Sequence, residues 1–326
     1  MPFSVTVDWA PAHELVVSFW AFTESRLFKY LEVDPKWHST AVRQIGSKNA
    51  DMIAAIGRDK SARLCMRSLL RKCPEPRTPP RFLDWLASLS PADLAGHRMS
   101  ARRKSSALDE RLSTRRDDLI AALDVWNTGY FAGMSEEITR SLSLESESRR
   151  EAIAHMDAQV VVEDATNGIS LGADIGIREV VLTPQYHCRP YNIHCQLGDV
   201  MFYAYPVDVQ DGDDCAPPAQ LERLARAFSD ASRLRILRFL STEPRTFMDI
   251  VAFSDLARST VHHHMVALRA AGVVRILETP KGSLYTPRPG YHEAMSRILR
   301  QYVEEPAINR DTDGQARSLQ DEEGVD

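Results

Sequence analysis

Residues 219–303 alternate between helix signals and one short hairpin, and this order of elements constrains the fold more than any other feature. The spacing of apolar residues predicts four helices, over 220–228, 233–240, 247–253 and 258–271. Thr246 and Asp249 form a capping-box pattern before the third helix, and Gly272 is placed to end the fourth. Two strands, at 273–278 and 283–286, and a helix at 291–303 complete the unit. This order predicts a winged helix-turn-helix domain.

The fourth predicted helix has an apolar side and a polar side. Val261, Met265 and Leu268 cluster on a helical wheel and predict the buried stripe. The opposite side, around Ser259 and His263, carries small hydrogen-bonding groups of the kind that read base edges in the major groove. The residues expected at the bases are Arg258, Ser259, Thr260, His262 and His263. The residues expected at phosphates are Arg269 and, from the hairpin tip, Lys281.

The string TFMDIVAFSDLARSTVHHHMVALRAAGVV, residues 246–274, resembles the winged helix of ArsR-type regulators, the arsenical-resistance repressor family. Its STVHHHM and LRAAGVV runs match the Ser-Thr-Val-x-His-His-Leu core of that family and its Leu-Arg-x-Ala-Gly-Leu-Val continuation. The resemblance implies a transcription regulator that binds double-stranded operator DNA. It also implies a homodimeric repressor in which helices 220–229 and 291–303 pair across a two-fold axis.

The match has departures and a looser extension. Ser254-Asp255 stand where the family usually has an apolar residue and glycine, which predicts a looser turn, and Ala257 stands where a serine often caps the recognition helix. The N-terminal part of the chain, residues 1–208, more loosely resembles the uncharacterised region that precedes the winged helix in some actinobacterial regulators. The Val180–Leu182 strand running into Thr183-Pro184, with Tyr205-Pro206, carries this second resemblance, which implies no ligand.

The whole chain is expected to be mainly α with small β, the winged helix lying C-terminal to a helical domain that carries a small sheet. Residues 1–208 are predicted to form this regulatory domain, which would respond to an unknown small-molecule effector. Its short strands are expected near 159–205, at Val160–Val162, Gly168–Leu171, Glu179–Thr183 and Val200–Tyr205. Residues 209–218 are expected to be an acidic linker and 304–326 a disordered acidic tail.

Composition bears on the partner and the compartment. The net charge is −5, yet residues 219–303 hold 13 Lys or Arg residues against 7 acidic ones, which is a local footprint for a polyanion. No apolar run approaches the ~18 residues that a membrane helix needs, and the N-terminus lacks a secretory pattern. Five cysteines at irregular spacing favour a reducing compartment. We therefore expect a cytoplasmic protein without a membrane partner.

Two other functions remain open on the sequence. His187-Cys188 and His194-Cys195 are candidate ligands or reactive groups of a metal or thiol sensor, although neighbouring strand residues face opposite ways. A protein-interaction module without DNA binding is the other alternative. No glycine-rich phosphate loop, HExxH or G-x-S-x-G motif is present, so neither an enzyme nor a cofactor is predicted.

Overall fold

The computed structural model describes residues 3–24, 28–57, 60–90, 106–209 and 215–304. The N-terminal helices are α1 (Pro11–Thr23), α2 (Trp37–Ile45), α3 (Ser47–Gly57), α4 (Lys60–Lys72), α5 (Pro79–Ser88), α6 (Ser106–Gly129), α7 (Glu136–His155) and α8 (Ala158–Ala165). The C-terminal helices are α9 (Ala219–Phe228), α10 (Ala231–Leu240), α11 (Phe247–Ser254), α12 (Arg258–Ala270) and α13 (Tyr291–Glu304). The strands are β1 (Ser4–Val7), β2 (Ile169–Leu171), β3 (Glu179–Gln185), β4 (Ile193–Leu197), β5 (Val200–Pro206), β6 (Arg245–Thr246), β7 (Val274–Thr279) and β8 (Gly282–Pro287).

This architecture confirms the fold class, mainly α with small β. Within the described residues, no helix is long and apolar enough to cross a membrane. Residues 305–326 of the predicted tail and half of the predicted acidic linker, residues 210–214, lie outside the described residues.

The first sheet lies inside the N-terminal part, in the order β1-β3-β5-β4. β1, β3 and β5 are parallel, and β4 runs antiparallel to β5. Val180 and Leu182 pack on one face of the sheet, in the core that includes residues of α8, while Ala204 packs in the separate core built around α1. Both faces of the central strands are therefore covered, which explains the continuous apolar runs in β3 and β5. β1 and β4 were not predicted from the sequence.

The strand predicted at Val160–Val162 is wrong, because these valines lie in helix α8. The Asp157 carboxylate accepts a hydrogen bond from the Gln159 backbone N–H at 2.8 Å and caps the start of this helix. Val161 and Val162 are buried against the sheet, while Val160 is 48% exposed. Three successive β-branched residues suggested a strand, but the cap and the one-sided burial select a short amphipathic helix.

A buried hydrogen-bond network attaches the loop after β3 to helix α1. Glu14 accepts hydrogen bonds from the backbone N–H groups of Tyr186 and His187 and from the His187 ring Nδ1, the last at 2.5 Å. His187 Nε2 lies 2.7 Å from the Tyr130 hydroxyl. Both Glu14 and His187 are only 1% exposed, so loss of either partner would leave buried polar groups unpaired. The network thus fixes the start of the loop that continues to Tyr191.

The second sheet joins the two parts of the chain, in the order β2-β7-β8-β6. β2, from the N-terminal part, pairs in parallel with β7 of the hairpin, with Ile169 opposite Ile276. The strand predicted at Gly168–Leu171 therefore exists, but it extends the sheet of the winged helix. Arg275 of β7 donates to the Ser170 hydroxyl at 2.9 Å and pairs with Glu163. The N-terminal part is consequently attached to the hairpin through backbone and side chains.

Candidate nucleic-acid interface

Helices α10 and α11 pack against the apolar side of α12. Val261, Met265 and Leu268 are all buried, as the helical wheel predicted, in one core with Ile236 and Ile250. The predicted capping box is also present, since the Asp249 N–H donates to the Thr246 hydroxyl at 3.2 Å and the Thr246 N–H donates to the Asp249 carboxylate at 2.9 Å. Local sequence signals therefore place α12 with its polar side outward.

The turn between α11 and α12 keeps a left-handed residue although it lacks the usual glycine. Asp255 has a φ of +54°, in the region that aspartate tolerates better than most residues. Helix α12 then begins after Ala257, whose side chain makes no capping hydrogen bond. The departures from the family pattern thus leave the geometry of the turn in place and remove one cap.

The N-terminal half of α12 carries an open polar surface. Arg258, Ser259, His262 and His263 are exposed and line a shallow groove together with Phe247 and with Tyr285 of β8. Thr260 is only partly buried. Lys281 is exposed at the tip of the β7–β8 hairpin. The structure therefore brings four of the predicted base-contact residues into one groove, with a lysine available on the hairpin.

Arg269 lies in a different environment from the other predicted contacts. It is partly buried, and burial lowers the pKa of its guanidinium, while the nearby acidic groups act in the opposite direction. Those groups are Tyr285 and Glu278 of the hairpin and Tyr203 and Tyr191 of the N-terminal part. Arg269 therefore lies near groups from both parts of the chain, and its role as a phosphate contact stays a prediction.

The N-terminal part also contacts the outward side of α12. The Tyr30 hydroxyl lies 3.2 Å from His263 Nε2, and the two rings are 5.2 Å apart. Beyond this contact, a gap of about 470 Å³ separates Leu31 and Tyr191 from Ala267 and neighbouring residues of α12. One ring nitrogen of His263 is thus engaged by the N-terminal part in this conformation.

Asn167 caps the C-terminal end of α12 from the N-terminal part. Its side-chain amide donates to the Ala270 carbonyl at 2.9 Å and to the Arg269 carbonyl at 3.4 Å, groups that a helix end leaves without partners. Gly272 has a φ of +68°, and a Cβ at this position would lie 2.3 Å from the Asn167 side-chain oxygen. Glycine at 272 therefore serves both the left-handed end of the helix and the close approach of Asn167.

Arg223 of α9 forms an ion-pair cluster between the two parts. Its side chain is 7% exposed and contacts the carboxylates of Glu32 and Asp208, in both cases at 2.5 Å. Arg189 completes the cluster, since it donates to the Glu32 carbonyl at 2.8 Å and lies 3.8 Å from Asp208. Because Glu32 lies two residues after Tyr30, this cluster holds the segment that touches His263.

The four histidine and cysteine candidates do not form one metal site, although Cys188 and His194 line the same cavity of the N-terminal part. Both ring nitrogens of His187 are occupied by Glu14 and Tyr130, and Cys188 is buried beside α1. Cys195 lies 3.9 Å from Arg67, and burial raises the pKa of its thiol, which disfavours the thiolate that metals bind. Within the described ranges, no group of three or more His, Cys, Asp or Glu side chains could hold a metal ion.

Sequence reasoning did not identify Tyr30, Asn167, Tyr191 or Arg223. Asn167-Gly168 is a dipeptide typical of turns, and both residues have positive φ angles, of 58° and 110°. The pattern could not reveal that this turn meets the end of α12. The other three residues carry no local signal for a contact with the winged helix.

The fold defines this C-terminal region as a winged helix-turn-helix, with α11 and α12 as the helix pair and β7–β8 as the wing. Residues 230–275 match the family model for bacterial regulatory proteins of the arsR family, which confirms the resemblance over this segment. No curated protein matches the chain. Among solved structures, an ArsR-like transcriptional regulator from Rhodococcus sp. RHA1 is similar at 21% identity, over 33% of this chain and 96% of that one. Its TM-score of 0.25 is too low to support further comparison.

Proposed function

We propose that this chain is a sequence-specific DNA-binding transcription regulator that inserts α12 into the major groove. The observation that carries the proposal is the exposed polar groove of Arg258, Ser259, His262 and His263 on an arsR-type winged helix. These residues, with Thr260, would read base edges, and Lys281 would contact a phosphate from the wing.

The proposal is tested by titrating the full chain with a labelled duplex from its own upstream region and with unrelated DNA, over a range of salt concentrations. Lys281→Ala should weaken binding to both duplexes alike and reduce the salt slope by about 1. His263→Ala should reduce the preference for the upstream duplex. Lys48→Ala, an exposed lysine of α3, is the matched control and should behave as the wild type. Equal effects of Lys281→Ala and Lys48→Ala would contradict the assignment of the wing.

Dimerisation through α9 and α13 is part of the proposal. These helices pack together, with the Phe228 and Tyr291 rings stacked at 6.4 Å. Helix α13 leaves Leu299, Tyr302 and Val303 exposed, at 47%, 37% and 65%. Such an apolar stripe suits a symmetric contact with a second copy. Leu299→Glu should shift the sedimentation coefficient from dimer to monomer, whereas the exposed neighbour Arg300→Glu should leave it unchanged.

The regulatory part of the proposal concerns His263. In this conformation, which we call the closed state, Tyr30 engages the Nε2 atom of His263, so that nitrogen is unavailable to a base. A signal received by the N-terminal part would act by moving the Tyr30 segment away from α12. On an operator that overlaps a promoter, the open dimer would block transcription, so we propose repression as the output. A reporter driven by the upstream region should be more active when this protein is absent.

A further inference from the structure

The N-terminal part encloses a cavity of about 370 Å³ between helices α1 and α4 and the sheet β3-β5-β4. Its walls are mainly apolar, with Val17, Trp20, Ala21, Leu70 and Phe202 among them. A largely apolar cavity of this size lies within the range that encloses small organic ligands.

The acidic groups of the cavity already have partners. Asp8 pairs with Arg77 at 2.6 Å and lies 3.5 Å from His13, while the Thr183 hydroxyl donates to the Asp8 carbonyl at 2.9 Å. Glu24, which also lines the cavity, is likewise engaged in an interaction. The carboxylates of the wall are therefore not available as the recognition groups for a ligand.

Arg67 differs from these groups. Its Nη1 donates to the Ile193 carbonyl at 3.1 Å and contacts the Cys195 sulfur at 3.9 Å. No carboxylate among the described residues lies within ion-pair distance of Arg67, and its Nε and Nη2 atoms have no acceptor there. A partly buried guanidinium in an apolar wall gains from an anionic partner that accepts two parallel hydrogen bonds.

We propose that this cavity is a binding site for a small, mainly apolar organic acid, whose carboxylate pairs with Arg67 and whose apolar portion fills the space beside Trp20 and Ala21. Among the described residues, a guanidinium without a carboxylate partner in a mainly apolar wall favours this class of ligand, and the wall also contains His13, Asn192 and His194. A neutral apolar molecule would fill the chamber without using Arg67, and a cation would be repelled by it.

The site has a structural connection to the recognition helix. Leu31 and Tyr191 line the cavity and also line the gap that faces α12. Leu31 follows Tyr30 directly in the chain, so a ligand that moves this wall also moves the group that engages His263. This consequence rests on the proposed function, but binding of the acid itself does not.

The first experiment measures ligand binding without DNA, so its failure is distinguishable from failure of the proposed function. The full chain is titrated calorimetrically with octanoate and with octanamide, a neutral molecule of the same length. Octanoate should bind at least about tenfold more tightly, since a charge-assisted pair adds this much to an apolar contact. Octanamide that binds as tightly as octanoate, or no saturable binding of either, would overturn the proposal.

Three variants locate the site. Arg67→Met should abolish the preference for octanoate and retain weak binding of octanamide. Ala21→Phe, which fills the chamber, should abolish binding of both, with circular dichroism confirming that the variant is folded. Arg43→Met removes an exposed arginine of α2 and should match the wild type. Unchanged octanoate binding by Arg67→Met, or by folded Ala21→Phe, would show that the acid binds elsewhere and would refute the assignment.

Discussion

Replacing Arg223 by methionine tests whether the N-terminal part restrains DNA binding. Methionine keeps much of the length and apolar contact of the side chain and removes its charge. Five hydrogen bonds link the guanidinium to the carboxylates of Glu32 and Asp208. Because Glu32 holds the segment that carries Tyr30, loss of these bonds should favour the open state, in which His263 is free to contact DNA.

The size of the effect follows from how well the cluster is buried. Removing one partner of a fully buried ion pair costs about 3–5 kcal/mol. Here Arg223 is 7% exposed, but the carboxylates of Glu32 and Asp208 are 22% and 38% exposed and regain water once the arginine is lost. We therefore expect the loss of Arg223 to destabilise the closed state by about 1–3 kcal/mol. This corresponds to a rise in DNA affinity of about 5- to 150-fold if the contact exists only in the closed state.

The assay is the dissociation constant for the upstream duplex, measured by fluorescence anisotropy at one fixed salt concentration. Arg226→Met is the matched control, because it removes the same charge from the same helix. Arg226 is 63% exposed and its two ion pairs, with Glu222 and Glu32, are 3.4 and 3.9 Å long, so its loss should change affinity little. If folded Arg223→Met binds DNA no more tightly than Arg226→Met, the contact with the N-terminal part does not oppose DNA binding.

Three further outcomes follow from single contacts. Tyr30→Phe removes one hydrogen bond to His263 and should raise DNA affinity about 2- to 10-fold, and lowered affinity would refute the closed state. Asp255→Gly should raise the free energy of unfolding in urea by about 1 kcal/mol, because glycine adopts the left-handed turn without strain, and a loss of stability would contradict this. Burial alone would raise the pKa of Asp8, but hydrogen bonds and charges from His13 and Arg77 hold it well below the ordinary value of 3.8. Its contribution to stability is therefore complete above that pH and is lost as the pH falls below it, so Asp8→Asn should show a shallower loss of stability on acidification than the wild type.

Much of the winged helix could be predicted because its signals are local. The Thr246–Asp249 capping box, the buried stripe of α12 and the glycine at 272 each depend on residues within one or two helical turns. The sequence also shows that Asp255 stands where the family usually has glycine. The turn is nevertheless preserved, because aspartate accepts the left-handed conformation.

Contacts between residues that are distant in the sequence could not be predicted. Tyr30 and His263 are 233 residues apart, and no periodicity in either segment indicates the other. The pattern of α12 predicts Arg269 as a phosphate contact, but this pattern does not include Tyr191 and Tyr203 of the N-terminal part, which lie near its guanidinium. Likewise, the pattern around Ile169 favoured a strand without revealing that its partner is β7.

The contacts between the two parts of the chain are of two kinds, and this difference makes opening feasible. On one side, β2 shares a backbone ladder with β7, and Asn167 caps the end of α12. On the other side, only side chains join Tyr30 to His263 and Glu32 to Arg223, next to a gap of about 470 Å³. A rotation about the shared sheet would therefore break the side-chain contacts and keep the ladder. The free energy of such contacts, a few kcal/mol, is comparable with the 1–3 kcal/mol by which a ligand typically couples two sites, so an acid bound beside the Leu31 wall could shift the balance without unfolding either part.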